Sequence, residues 1–230
     1  MNVLSIVHPG DAGSELFGPL AVELGHRFDE RTFAAGPPPE LDSYDAVLLF
    51  GGPMHVDQED QHPWLRDESD WLRPLLDSAT PTLGICLGSQ LLARGAGAWV
   101  GALPTPELGW REVELTDAAA ADPVLSTLPP RFTALQWHHY GHELPDGAVA
   151  LAHSAASLQA FRLGEKCWGV QFHPEVTEPQ LERWIAAKSD LPSDPERLRA
   201  ETRERIGEWN ELGRRLCRSF LAAAERLRAG

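Results

Sequence analysis

The hydrophobic positions follow two regimes along the chain. In the first third, short apolar runs alternate with helical spacings. "NVLSIVH", ending at Pro9-Gly10, reads as a buried strand, and "SELFGPLAVELG" reads as a helix with Ser14 as its N-cap and Gly25 as its stop. "DAVLLF" from Asp45 is a second apolar run, closed by Gly51-Gly52-Pro53, and "DESDWLRPLLDSA" has the spacing of an amphipathic helix interrupted by Pro74. "PTLGICLG" is a third buried run. Strand and helix in alternation predict a largely parallel sheet with helices on both faces and right-handed crossovers.

Beyond residue 96 the pieces become shorter and more polar. "REVELT" and "AVALAHS", separated by Pro and Gly, predict hairpins or edge strands added to the sheet. "CWGVQFH" is one more strand, and from Glu178 onward the pattern is mainly helical, with a Leu-Pro-Ser-Asp-Pro break at 191–195. In the last stretch Ile206, Trp209, Leu212, Leu216, Phe220 and Leu221 recur at helical spacing. The expectation is an α/β fold, an open and mostly parallel sheet flanked by helices over residues 1–188. A C-terminal helical extension, 189–230, would pack on the same domain.

Composition narrows the function. With 230 residues the chain can bury one sizeable core. A formal net charge of −14, with basic residues interleaved among acids, argues against a nucleic-acid or anionic-membrane partner. The three cysteines, Cys86, Cys167 and Cys217, are widely spaced and contain no CxxC pair, so neither a disulfide framework nor a zinc cage is expected. The start of the chain lacks a basic, apolar leader, and no run approaches the ~18 apolar residues of a membrane span. A cytoplasmic protein is expected.

Chemistry concentrates at "GICLGSQLL". A nucleophile at a tight strand-to-helix turn is exposed and strained, and flanking glycines remove the Cβ atoms that would clash. Gly84 and Gly88 fit that task around Cys86. A helix starting near Leu87 aims its positive end at the sulfur and favours the thiolate, the form that attacks. The Leu87 N–H is then a donor for an oxyanion. "VQFHPEV" supplies the partners: in extended backbone His173 and Glu175 point to the same side, base toward the thiol and carboxylate behind it. The Gly51-Gly52-Pro53 loop offers the Gly52 N–H as second donor, with Gly51 close to the substrate. Gln90, one helical turn after Cys86, could hydrogen-bond it. "WHHYGH" spaces His138 and His142 as a metal pair would be on a helix, but nothing completes the set, so a loop near the substrate or plain surface is expected instead. No metal or cofactor is called for.

These residues carry a resemblance. Gly84-Ile85-Cys86-Leu87-Gly88-Ser89-Gln90, Gly51-Gly52-Pro53 and His173-Pro174-Glu175, in that strand context, resemble the triad-type (class I) glutamine amidotransferases over about residues 1–185. "FGGPM", "DQEDQHPWL", "ELGW" and "QWHHYGHELP" are most similar to the stand-alone guanylate-synthase-like members. The resemblance implies a flavodoxin-like three-layer sandwich and hydrolysis of glutamine through a Cys86 γ-glutamyl thioester. Members of the family usually deliver the ammonia to a synthase partner or a fused domain, so a possible synthase partner is implied; as a departure from that pattern, no ATP-dependent synthetase domain is seen and the tail is too short to be one. Ser89 stands where many relatives carry histidine, and the 138–142 segment departs from the better-known synthetases. A γ-glutamyl peptidase or hydrolase needing no partner is the alternative enzyme, and a silent binding module on the same fold is the alternative of another class.

Overall fold

The computed structural model describes residues 1–10, 13–36, 40–187 and 194–229. Among these described residues nine strands form one mixed sheet in the order β2-β1-β3-β4-β9-β8-β7-β5-β6. Five of them are parallel neighbours: β2 (Arg27–Arg31), β1 (Asn2–Ile6), β3 (Ala46–Leu49), β4 (Thr82–Ile85) and β9 (Cys167–Val170). The other four, β8 (Leu158–Leu163), β7 (Ala148–His153), β5 (Val100–Leu115) and β6 (Arg131–His142), continue it in antiparallel pairing. The change of regime near residue 96 is therefore the change from crossover to hairpin connections.

The four inner parallel strands, β1, β3, β4 and β9, bury both faces, which is why they read as unbroken apolar runs, whereas the edge strand β2 is largely exposed and carries no such run. On β3, Ala46 and Leu48 join one core while Val47 and Leu49 join the other. Helices α2 (Trp64–Asp77) and α3 (Leu87–Gly95) cover one face. Helices α1 (Phe17–Glu23) and α5 (Pro195–Ala229) cover the opposite face, with α4 (Glu178–Ala187) packed on α5. On α5 every position from the helical stripe, Ile206 through Leu221, is buried, and the Trp209 ring packs among Trp110, Phe132 and Phe172. Burying an aromatic or a leucine side chain contributes about 1.5–3 kcal/mol, so this helix is part of the core rather than an appendage. The break at 191–195 and the boundary at 188/189 fall largely outside the described residues.

Two local expectations need correction. Ser14 is not the N-cap of α1: Glu15 takes a left-handed φ of 38°, and the helix starts at Phe17 with Leu16 before it. Ser14 instead closes a turn by accepting the Phe17 N–H at 2.7 Å. Gly25 does end the helix, at φ +83°. Nor does Pro74 interrupt α2, which runs on to Asp77. The Pro74 carbonyl still accepts from Ser78, so near the helix end the proline removes only its own N–H.

Two glycines on α5 make opposite demands. A Cβ on Gly213 would press into the Pro174 carbonyl, 3.0 Å from its carbon and closer to its oxygen, whereas one on exposed Gly207 would meet nothing within 4 Å. Gly213→Ala is expected to lose about 1–3 kcal/mol of unfolding free energy by overpacking. Gly207→Ala is expected to gain about 0.5–1 kcal/mol from helix propensity. Chemical denaturation of both variants checks the pair, and equal effects would contradict the packing.

Candidate active site

At the carboxyl end of β4 the chain turns sharply into α3, and Cys86 occupies the turn with φ 51° and ψ −107°. A residue bearing a side chain rarely adopts this conformation, which costs on the order of 1–3 kcal/mol. Two backbone bonds hold it: the Cys86 N–H donates to Val170 at 2.8 Å, and the Cys86 carbonyl accepts from Gln90 at 3.0 Å. The flanking glycines let the helix start sit against the strands. A Cβ on Gly84 would stand 2.7 Å from the Gly88 carbonyl carbon, and one on Gly88 would stand 2.7 Å from that of Leu49. The Leu87 N–H lies in the first turn of α3, where a helix offers donors without intrahelical partners.

His173 and Glu175 reach the same place from β9. The strand pairing ends at Val170; the chain then bends at Gln171-Phe172 and turns at Pro174-Glu175, so it is a turn rather than the expected extended backbone that brings His173 and Glu175 together, and the His173 N–H donates to Leu135 of β6 at 3.0 Å. His173 Nδ1 donates to Glu175 Oε1 at 2.8 Å, with both side chains buried. The opposite nitrogen, Nε2, is buried and has no hydrogen-bond partner among the described residues, and the His173 ring also interacts with Cys86. Burial disfavours the imidazolium, but negative charge on Cys86 and Glu175 at its two sides outweighs it and raises the ring's pKa to about 10. The backbone of this segment is tied down on several sides. Trp209 Nε1 donates to the His173 carbonyl at 2.9 Å, Leu16 N–H to Glu175 at 3.0 Å, and Asn210 Nδ2 to Val176 at 2.9 Å. Trp184 stands edge-on to the His173 ring at 5.0 Å.

The Gly51-Gly52-Pro53 loop closes the third side. A Cβ on Gly51 would meet His173 Cε1 at 3.0 Å and Cys86 Cβ at 3.5 Å, so the loop backbone packs directly against Cys86 and His173. The Gly51 carbonyl turns away to accept from His8 Nδ1 at 2.9 Å, and His8 Nε2 lies 3.1 Å from both oxygens of Glu68. Gly52, Cys86, Leu87 and Gln90 line one cavity of about 140 Å³, roofed by Trp137, His139 and Tyr140 of β6 and by His55, whose ring stacks on Tyr140 at 3.9 Å. Gly51 is placed behind that cavity rather than in its lining. Gln90 is in the lining, but its amide nitrogen is already committed to the Tyr140 carbonyl at 2.9 Å and to Gln171 Oε1 at 3.2 Å. The space fits a small acyl group, and the arrangement suits attack of sulfur on a carbonyl carbon.

The "WHHYGH" segment is strand β6, neither helix nor loop. Burial lowers the pKa of His138 to about 3 and that of His142 to about 4, so both are neutral. His138 Nδ1 donates to Tyr140 at 2.9 Å and His142 Nε2 meets Ser89 Oγ at 3.1 Å, and no metal-ligating cluster exists among the described residues. Sequence reasoning overlooked His8, Glu68 and the α5 contacts. The one signal for Glu68 was a carboxylate inside the apolar stripe of α2, between Leu65 and Leu72.

Comparison with known proteins agrees with this geometry. Residues 25–188 match the family described as glutamine amidotransferase class-I. The chain is 29% identical to the glutamine amidotransferase-like protein YfeJ of Salmonella typhimurium over 80% of each protein. It is 35% identical to one subunit of the glutamine-hydrolysing GMP synthase of Ignicoccus hospitalis, over 66% of this chain and 78% of that subunit. Among solved structures, a glutamine amidotransferase from Thermotoga maritima superposes with a TM-score of 0.85 at 30% identity, over 96% of this chain and 98% of that one.

The three thiols differ in setting. Burial pushes Cys167 and Cys217 up to about 12, whereas Cys86 opens on the cavity. At pH 7 the two buried thiols are ionised to only about one part in 10⁵. Iodoacetamide followed by peptide mass spectrometry is therefore expected to modify Cys86 at least ~100-fold faster than either. Equal rates in the folded protein would contradict the site.

Proposed function

The chain belongs to the class-I glutamine amidotransferase family, and on that premise we propose that it hydrolyses the side-chain amide of glutamine to glutamate and ammonia. The observation that carries the proposal is the strained Cys86 turn opposite His173, whose far nitrogen bonds Glu175 at 2.8 Å. In this reading the Cys86 thiolate attacks the γ-amide carbon, and the oxygen of the tetrahedral intermediate accepts from the Gly52 and Leu87 amides. His173 donates its proton to the departing ammonia, leaving a γ-glutamyl thioester. It then takes a proton from the water that hydrolyses the thioester, freeing glutamate and the thiol. Glu175 keeps the ring oriented and stabilises its charged form. Gln90 sets the pocket wall through Tyr140 and Gln171.

The relative from Ignicoccus hospitalis is named as a synthase subunit, and this supports a synthase partner that consumes the ammonia here. The substrate on this reading is a small molecule, and no cofactor takes part. The setting proposed is the cytoplasm. All three cysteines are free thiols, as a reducing compartment keeps them, and among the described residues no helix is long and apolar enough to cross a membrane.

Glutamate release by the purified protein, with Cys86→Ala alongside, tests the proposal. Wild type is expected to turn over glutamine, and Cys86→Ala to lose at least ~10³-fold in kcat. Strong cleavage of γ-glutamyl dipeptides with little of glutamine would move the assignment to a self-sufficient γ-glutamyl hydrolase. Turnover that survives Cys86→Ala would overturn it.

A further inference from the structure

The buried pair His8 and Glu68 has no part in the reaction as written above, although it lies one peptide away from the reacting groups. His8 follows β1 and Glu68 sits on α2, 60 residues later, and their side chains are 1% and 0% exposed. Linking β1 to α2 would not by itself call for charge, because apolar residues of similar volume hold such contacts as well or better. What the pair reaches is the Gly51 carbonyl, which accepts from His8 Nδ1 at 2.9 Å.

The glycines explain why that carbonyl needs an anchor. Glycine suits position 51 because a Cβ would stand 3.0 Å from His173 Cε1, tight against the ring. Position 52 must be glycine because a Cβ would stand 2.8 Å from His8 Cβ and 2.6 Å from the Met54 sulfur. Two adjacent glycines, however, leave the peptide between them free to rotate. In a trans peptide the carbonyl and the following N–H point in opposite directions, so whatever fixes the Gly51 oxygen also fixes the Gly52 N–H. The Gly51 oxygen points to His8, and the Gly52 N–H is thereby directed to the other side, where Cys86 and Leu87 line the cavity.

We propose that His8 and Glu68 are positioning residues that hold the Gly51-Gly52 peptide in the orientation presenting the Gly52 N–H to the oxyanion. This rests on the hydrolase reading above and adds the device that preforms its oxyanion site. Glu68 has a definite task in it. A neutral imidazole carries one proton, and on Nε2 that proton would leave a bare Nδ1 facing the carbonyl oxygen. With both Glu68 oxygens 3.1 Å from Nε2, Glu68 favours the charged ring, in which Nε2 donates to the carboxylate and Nδ1 to the carbonyl. Burial opposes that charge, but Glu68 and the Gly51 carbonyl outweigh it and hold the ring's pKa above its usual value. The Trp64 ring, tilted 31° at 5.7 Å, covers His8 on one side.

Three variants test the assignment: His8→Leu, Glu68→Leu, and His8→Asn, whose amide nitrogen occupies the place of Nδ1. For the two leucine variants kcat for glutamine is expected to fall about 10- to 100-fold with KM little changed, less than the loss of an oxyanion donor outright. His8→Asn should recover to within about 5-fold of wild type. Alkylation of Cys86 by iodoacetamide, a displacement that forms no oxyanion, should stay within about 3-fold of wild type in all of them. A crystal structure of His8→Leu should show the Gly51 carbonyl turned from its present direction in at least part of the molecules. An unmoved peptide with unchanged kcat in His8→Leu overturns the proposal, and so does an equal fall in alkylation and kcat, which would mean general disorder of the site. Should wild type and Cys86→Ala prove equally inactive on glutamine, the hydrolase reading fails. The peptide orientation in His8→Leu then decides the anchoring role separately.

Discussion

The site depends on a backbone conformation that an isolated chain would avoid. Cys86 sits at φ 51° because a parallel strand must pass within a single residue into a helix that lies back across the same sheet. The turn is held by main-chain bonds to β9 and α3, and the glycines at 84 and 88 let the helix approach the strands to within backbone contact. The energy to hold it comes from the layers on both sides of the sheet. The same turn brings the sulfur, the first N–H groups of α3 and the ends of β3 and β9 to one point, the strand-end crevice where α/β folds bind ligands.

The His-Pro-Glu segment is positioned by the far layer. Its carbonyls at 173, 175 and 176 accept from Trp209, Leu16 and Asn210, and Gly213 lets α5 press on Pro174. The long C-terminal helix therefore acts on the site without touching the cavity. Buried Trp209 is anchored in an aromatic cluster and offers its one polar atom to the His173 carbonyl. Packing and the orientation of His173 are thus one structure, and loosening either would be felt in the other.

Much of this was legible in the chain. Cys86, His173 and Glu175 each lie in a short string that marks them, although a turn at Pro174-Glu175 and not an extended backbone joins the last two, and four of the five parallel strands announce themselves by burial on both sides, the exposed edge strand β2 being the exception. The misreadings have tertiary causes. Ser14 has the chemistry of an N-cap, but the turn at Glu15 and the bond from Leu16 to Glu175 set where α1 begins. His138 and His142, expected in a loop near the substrate or on plain surface, lie buried on a strand paired to β5, because that pairing and bonds to Tyr140 and Ser89 draw the segment into the sheet. His8 and Glu68 are far apart in sequence, and neither shows a local pattern beyond a carboxylate on an apolar stripe. The donors on α5 are invisible from sequence because tryptophan, asparagine and glycine on a helix mark no site until the loop they hold is known.

The central claim is that Cys86 attacks a γ-glutamyl carbonyl whose oxygen is received by two backbone amides. A crystal structure of the protein treated with a glutamine-derived diazoketone tests it most directly, because the reagent leaves a carbonyl beside the sulfur it alkylates. The account predicts a covalent bond to the Cys86 sulfur and a ketone oxygen within about 2.7–3.1 Å of both the Gly52 and Leu87 nitrogens. Modification at Cys167 or Cys217 instead, or a Cys86 adduct whose oxygen faces away from Gly52, would contradict it.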